Sequence, residues 1–529
     1  MTLPLVPDSA PFNEAQRSWL NGFLAGWLGI NAALESNALS AGMSAAMAQL
    51  DTNTAVAPEV ADEPWHDPEL AIDERLELAA DRPLADKLMA SMAQLDCGAC
   101  GYVCRTYSNA IAAGDEKNLT LCSPGGKLTA VSLKKLVQSG DKTSVAAKQA
   151  TNASAAPAAL PGQHRDHPCS ATLKRKRTLN GSGSKKITTH VEIDISGTPI
   201  EYRVGDSLGV YPRNCPELVT ELLAVLDATA DERVTLRSGT VLSLGEALAQ
   251  FDLRYVSDEL LELLKERTTD ASQQTALANM IEEGTDFDVL DVLQFATRAK
   301  FSASDICQTL SPLQPRLYSI SSSPRAHRGE VHLTIARVET ESGGRKRKGV
   351  ASTMFADRIQ ANDPVSVYLH RSHDFTVPAN DDAPMIMVGP GTGIAPFRAF
   401  LHERAARGVK GPNWLFFGDQ HAGTDFLYQE ELNQLQQQGT LTRLDTAFSR
   451  DQDAKIYVQD RMREHGAELY RWLENGAYFF VCGDARRMAV DVDKALREVI
   501  AQHGNCDEAA AKTYIDRLKA DGRYVRDVY

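Results

Sequence analysis

The sequence predicts a multidomain chain: a small, mainly helical cysteine module, then antiparallel strands interrupted by a long helical stretch, then a parallel α/β sheet. Three observations carry this reading. THVEIDIS (189–196) and IEYRVGDSLGVYP (200–212) alternate apolar and polar residues between turn signals, as half-buried strands do. Residues 214–310 switch to helical periodicity, as in PELVTELLAVLDA and DELLELLKER, before strand patterns resume at RLYSISSSP and VHLTIARVE. After Pro384, the short apolar runs MIMVG, WLFFG and AYFFVCG alternate with helical stretches, which is the pattern of a parallel sheet with crossover helices.

Taken in order, residues 1–40 hold an N-terminal helical segment. An amphipathic helix is expected over 9–34, with Phe12, Trp19, Phe23 and Trp27 on one face, suited to core packing or to docking against a partner. Residues 41–85, rich in Ala, Asp, Glu and Pro, read as an acidic connector. The cysteine module follows at 86–140, and 141–166 reads as a flexible linker. The two strand-rich stretches, 167–213 and 311–380, flank the helical insert at 214–310, and the α/β domain occupies 381–529.

A net charge of −14 argues against nonspecific nucleic-acid binding and suits docking through an acidic face. The first residues lack a basic stretch followed by an apolar core, so no signal peptide is expected. The apolar stretch from Trp19 to Leu34 is too short and interrupted to span a bilayer, and a cytoplasmic location follows as the default.

Cys97, Cys100, Cys104 and Cys122 form the most unusual feature of the chain. Three lie within eight residues, and the fourth follows after 17 more, beside a Pro-Gly-Gly turn. Four thiolates with three on one tight loop suit a cubane iron–sulfur cluster, whose ligands converge on neighbouring corners. Zinc is the alternative, since four thiolates satisfy a tetrahedral ion, although its usual pair of separated CxxC knuckles is missing; free thiols are the third possibility. Cys169, Cys215, Cys307 and Cys506 show no ligand spacing and read as packing residues.

MIMVGPGTGIAPFRAFLHER places Gly389, Gly391 and Gly393 between a strand and a helix, with the helix start from Thr392 onward offering amides to a pyrophosphate. No Lys-Ser/Thr pair follows, so the turn is not a P-loop. Ser449, Arg450, Lys455, Tyr457 and Gln459 follow the third strand and supply two cations with hydroxyl and amide donors, a set matched to the 2′-phosphate that NADPH carries. For either cation alone, solvated surface charge is the plain alternative. Upstream, Arg316 is placed to neutralise a flavin pyrophosphate, Tyr318 to stack on an isoalloxazine and Ser319 to hydrogen-bond near the reactive flavin nitrogen. Gly349, Val350, Ala351, Ser352 and Thr353 offer amides and hydroxyls to the pyrophosphate at a second helix start.

The order RxYS, GVAST, GPGTGIAPFR, SR, KxYVQ, VCGDA and a terminal aromatic resembles the ferredoxin–NADP reductase superfamily, and more narrowly the diflavin reductases. The ending DGRYVRDVY is similar to that of sulfite reductase flavoproteins. The resemblance covers about 167–529 and implies an antiparallel β-barrel that binds FAD, a helical connecting domain at 214–310 and an NADPH-binding domain at 381–529. It also implies catalytic roles for Ser319, Cys482 and Asp527 at the flavin–nicotinamide contact, and a terminal Tyr529 that covers the flavin and moves aside for the nicotinamide.

Diflavin reductases carry an FMN-binding flavodoxin domain ahead of this core; residues 1–165 read as too short and too Ala/Pro-rich for one, so no FMN is expected. The cysteine module resembles the four-iron–four-sulfur motif of electron-transfer proteins, with its third spacing one residue shorter than the commonest form. The combined resemblances imply an NADPH-dependent oxidoreductase that passes electrons from FAD through a cluster to a haemoprotein, a sirohaem-carrying sulfite reductase subunit. A nitrate or nitrite reductase or a ferredoxin is the alternative acceptor, and a redox-sensing scaffold subunit the alternative role.

Overall fold

The computed structural model describes residue 65, residues 70–94, 100, 102, 104–114, 116, 119–122, 125–139 and 160–529, with 373 and 486 excepted. The helix expected over 9–34, Cys97 and most of the 141–166 linker lie outside the described residues. All described residues belong to one unit spanning Pro64–Tyr529.

The cysteine module is built on four helices, Ile72–Leu78, Leu84–Ala90, Cys104–Ala113 and Gly126–Gln138. Leu88, Met89, Met92, Tyr107, Ile111, Leu121 and Leu133 make its core together with Cys100, Cys104 and Cys122. The first helix lies inside the span expected to be an acidic connector. It is retained because Arg75 is buried and donates to the Met92 carbonyl at 2.6 Å, while Arg82 stacks over the buried ring of Trp65 at 4.9 Å. Thr129 Oγ1 donates to the Ser91 carbonyl at 2.7 Å and ties the last helix to the second.

The next sheet has six strands: β1 (Cys169–Thr178), β2 (Thr188–Asp194), β3 (Ser207–Val210), β6 (Arg316–Ser319), β7 (Glu330–Ala336) and β10 (Pro364–His370), in the order β6-β3-β10-β1-β2-β7 with antiparallel neighbours. A bridge between Ile320 and Leu333 brings the two edges of the sheet together. Between β3 and β6 lies the insert, whose helices run from Pro216 to Thr309 and whose hairpin, β4 (Arg233–Thr235) and β5 (Val241–Ser243), was not expected from the helical periodicity. A second hairpin, β8 (Glu339–Ser342) and β9 (Arg345–Lys348), reaches back to the insert through Arg345 and Arg347, which pair with Asp288 and Asp291.

The C-terminal sheet is wholly parallel: β11 (Met385–Val388), β12 (Asn413–Asp419), β13 (Arg443–Phe448), β14 (Tyr478–Gly483) and β15 (Tyr524–Val528), in the order β13-β12-β11-β14-β15. The order reverses direction between β11 and β14, and ligands of open parallel sheets bind at such switch points, outside the carboxyl ends of the strands.

One departure from simple alternation explains how the two sheets meet. Every residue of β2 from Thr188 to Ile193 is buried, the outward His190 and Glu192 included, because the C-terminal domain covers that face. Arg398, on the helix Ile394–Arg407, is buried there. It forms a two-pronged pair with Glu431 (2.6 and 2.9 Å) and donates to the Ser321 carbonyl at 2.7 Å. Removing one partner of such a pair leaves an uncompensated buried charge, at a cost of about 3–5 kcal/mol. Burial first, and then the Arg398 cation, pushes the His190 imidazole down to about 2. The ring is therefore neutral beside that guanidinium, and its Nδ1 hydrogen-bonds the Tyr428 hydroxyl at 2.9 Å.

Candidate functional site

Beyond the carboxyl ends of β11 and β14, Ser319, Cys482, Asp527, Tyr529, Thr392 and Gly393 meet at the end of β6. The Ser319 hydroxyl, at the end of β6, donates to Asp527 Oδ2 on β15 at 2.7 Å, joining the two sheets. Cys482, directly beside Asp527 in the β14–β15 register, directs its thiol at the same oxygen from 3.9 Å. Burial raises the Asp527 carboxyl above its ordinary value, and the Ser319 hydroxyl pulls it partly back. Burial, reinforced by the Asp527 charge, also holds Cys482 well above an ordinary thiol, so it is a neutral contact group rather than a nucleophile.

Tyr529 closes the cluster. Its amide donates to the Gly483 carbonyl at 3.0 Å, its carbonyl accepts from the Ala485 amide at 3.2 Å, and its hydroxyl sits 2.9 Å from Thr392 Oγ1. The chain end is thus tied down, while the side chain keeps 51% of its exposure.

The glycine turn is steric in origin. A Cβ on Gly393 would lie 2.1 Å from the Cys482 carbonyl oxygen, and one on Gly389 would lie 2.5 Å from the Gly393 oxygen and 2.6 Å from the Phe397 ring. Gly391 has φ +58, a conformation that L side chains adopt at a cost. Two groups that carry no sequence signal also stand at this turn. Lys186, from the loop between β1 and β2, pairs at 2.6 Å with Oδ1 of the buried Asp419, whose Oδ2 has no partner among the described residues.

Ser449 and Arg450 follow β13, and Lys455 and Tyr457 precede the helix Val458–Glu464, so all four lie at the carboxyl side of the parallel sheet. Arg450 and Lys455 are exposed and make no ion pair among the described residues, whereas the Gln459 amide donates to Asp491 at 3.2 Å.

On the other sheet, the Arg316 guanidinium is turned onto the Gln314 carbonyl at 2.6 Å, and the Tyr318 ring meets Phe355 edge-on at 6.3 Å. Gly349 caps the short helix Val350–Thr353, with buried Ala351 in its first turn. The Ser352 and Thr353 hydroxyls, expected to face a pyrophosphate, both donate to the Gly349 carbonyl, at 3.3 and 2.9 Å. The first-turn amides of that helix have no carbonyl a turn earlier to bond.

Residues 161–354 match the FAD binding domain family and residues 387–494 the oxidoreductase NAD-binding domain family. This chain therefore carries an FAD binding domain followed by an oxidoreductase NAD-binding domain. It is 44% identical over 369 residues to the sulfite reductase [NADPH] flavoprotein alpha-components of Salmonella typhimurium and Klebsiella pneumoniae, and 43% identical to that of Escherichia coli O9:H4. Each match covers 69% of this chain and 61% of the relative, so the chain spans about three-fifths of the curated relatives it matches. Among the described residues no helix is long and apolar enough to cross a membrane.

The packing of Gly393 yields a prediction. Gly393→Ala forces its Cβ against the β14 carbonyl and displaces the turn from Cys482, and misplacement on an ångström scale costs about 100-fold in rate. Anaerobic stopped-flow should show flavin reduction by NADPH slowed on that scale with the FAD content of the purified variant unchanged; a wild-type rate would mean that the close approach has no functional consequence.

Proposed function

We propose that the chain oxidises NADPH at bound FAD and passes the electrons through a four-iron–four-sulfur cluster to a sirohaem-carrying sulfite reductase subunit. The observation that carries the reading is the convergence of Ser319, Cys482, Asp527 and Tyr529 on one point between a flavin-type sheet and a nicotinamide-type sheet. The acceptor is argued from the likeness to sulfite reductase [NADPH] flavoprotein alpha-components.

In this reading the glycine turn takes the NADPH pyrophosphate, and Arg450 and Lys455, with Ser449, Tyr457 and Gln459, grip the 2′-phosphate. Arg450 and Lys455, exposed and without an ion pair among the described residues, suit that role. Arg316, Tyr318 and the first-turn amides after Gly349 suit an FAD, held with Ser319 near its reactive nitrogen. When bound, FAD takes the two electrons of a hydride together and releases them singly, the proton going to solvent. Asp527 is a desolvated carboxylate with one strong donor, so the positive ring left when the nicotinamide loses its hydride is its natural counter-charge. Tyr529, held by Thr392, covers the flavin face and yields it to the nicotinamide.

The module's chemistry suits a cluster. Cys100, Cys104 and Cys122 are buried in one apolar group. Burial raises the Cys122 thiol, while amides of Ala93 and Gly125 aimed at the sulfur draw it back, the kind of hydrogen bonding that tunes cluster sulfurs. A Cβ on Gly125 would lie 2.2 Å from Thr129 Oγ1 and 3.0 Å from that sulfur, so the position has no room for a side chain. Cys97 completes the proposed ligand set.

Two measurements test the reading. Anaerobically purified protein should contain about four irons, four sulfides and one FAD per chain and no FMN, with a paramagnetic iron signal after NADPH addition; zinc, or FMN, contradicts it. Replacing Arg450 and Lys455 together with Ala should raise the KM for NADPH at least about tenfold, since hydrogen bonds to charged groups are worth about 1.5–3 kcal/mol, and leave that for NADH nearly unchanged. Equal effects on both remove the 2′-phosphate assignment.

A further inference from the structure

The cysteine module is seated on three parts of the chain at once. Lys134, on its last helix, pairs with Asp258 of the insert at 2.5 Å and donates to the Ile281 carbonyl at 3.2 Å, beside a cleft of about 720 Å³ whose walls include Cys122, Val131, Tyr255 and Phe287. Gln94 shares a second cleft with Asp374, Tyr524 and Arg526 at the C-terminal strand β15. The third contact reaches the flavin-type sheet. Arg165 donates one guanidinium nitrogen to the Cys100 carbonyl and another to the Gln314 side chain, and its own carbonyl accepts from the Tyr211 hydroxyl at the end of β3.

This third contact joins the cysteine loop to the strand expected to carry the flavin. Gln314 is two residues from Arg316 and already holds that guanidinium through its carbonyl. On the other side of the bridge, Tyr368 on β10 lies within electrostatic reach of Cys100 and Arg165, and burial leaves its hydroxyl without a partner among the described residues. Its ring packs on Gly209 so closely that a Cβ there would lie 2.0 Å from the ring, and Gly209 pairs with Leu317, the neighbour of Tyr318. A close-packed contact therefore runs from Tyr368 over Gly209 to β6.

We propose that the module works from this fixed seat rather than by swinging on its linker, and that Arg165 is the positioning residue that locks the Cys100 loop to the flavin strand. The last residues of the 141–166 stretch are held by the sheet. Gly162 accepts from the Leu369 amide at 2.8 Å and has φ +80 with no room for a Cβ beside the Cys169 sulfur, so the chain is built into the sheet before Arg165 is reached. The inference deepens the proposed cluster reading and rests on it for its electron-transfer consequence, while the seat itself is a property of the polypeptide.

The test uses the full chain as wild type, Arg165→Ala and Arg165→Lys, the last able to keep one of the two hydrogen bonds. Hydrogen exchange across Cys104–Ala113 and Gly126–Gln138 reads the seat without any turnover. Stopped-flow after anaerobic NADPH addition separates flavin reduction from the later reduction of iron. In Arg165→Ala, iron and FAD content and the rate of flavin reduction should match wild type. Exchange at the module should rise, and reduction of iron should slow about 10- to 100-fold, the scale that small mispositioning costs, with Arg165→Lys between. Unchanged exchange in Arg165→Ala overturns the seat, and unchanged iron reduction with raised exchange overturns the positioning role. Loss of iron from Arg165→Ala would make the residue a support of the ligands instead and overturns the assignment. If the wild-type protein holds no iron, the cluster reading fails, and exchange still decides the seat.

Discussion

A single hydrogen bond, from the Ser319 hydroxyl to Asp527, joins the strand end of one sheet to the strand end of another. Neither group could do much alone. Asp527 is a half-buried carboxyl whose desolvation is only partly offset, and Ser319 closes a short edge strand. Held 2.7 Å apart, they define a point at which groups from both sheets face the same small space, with the Cys482 thiol and Tyr529 as its walls. Hydride transfer demands this kind of constraint, because two flat rings must be held face to face while water is kept away.

The bond survives because the sheets are clamped elsewhere. The face of β2 that alternation would give to solvent lies under the C-terminal domain, where Arg398 spans from Glu431 to the Ser321 carbonyl, two residues beyond Ser319. Neutral imidazoles surround that cation, and His332 accepts from it at 3.2 Å. The clamp is costly in desolvation and intolerant of partial loss, which suits an interface that fixes geometry more than it adds stability.

Much of this was legible in the sequence. Glycines at 389, 391 and 393 place a turn between a strand and a helix, and the structure has that turn between β11 and the helix Ile394–Arg407, with a Cβ at Gly389 or Gly393 crowded by Phe397 or Cys482. Cys482 and Asp527 are far apart in the chain, and their pairing became visible only through likeness to known reductases, since no local pattern brings β14 beside β15. Other features had no signal. Lys186 is one lysine on a loop, and Asp419 one acid after an apolar run. Arg165 ends a stretch whose Ala/Pro composition argued for a tether. The Ser352 and Thr353 hydroxyls donate to the Gly349 carbonyl, a local bond at a helix start that the motif does not announce.

In the proposed function, Asp527 carries charge at the point where hydride leaves the nicotinamide. Anaerobic stopped-flow reduction of the flavin by NADPH and by its form dideuterated at nicotinamide C4, in Asp527→Asn, measures it most directly. Loss of the charge with the shape retained should slow flavin reduction about 100-fold, the scale of one lost electrostatic contact to a developing charge, and enlarge the isotope effect at unchanged FAD content. A wild-type rate and isotope effect would mean that the Ser319–Asp527 contact only fastens two sheets together.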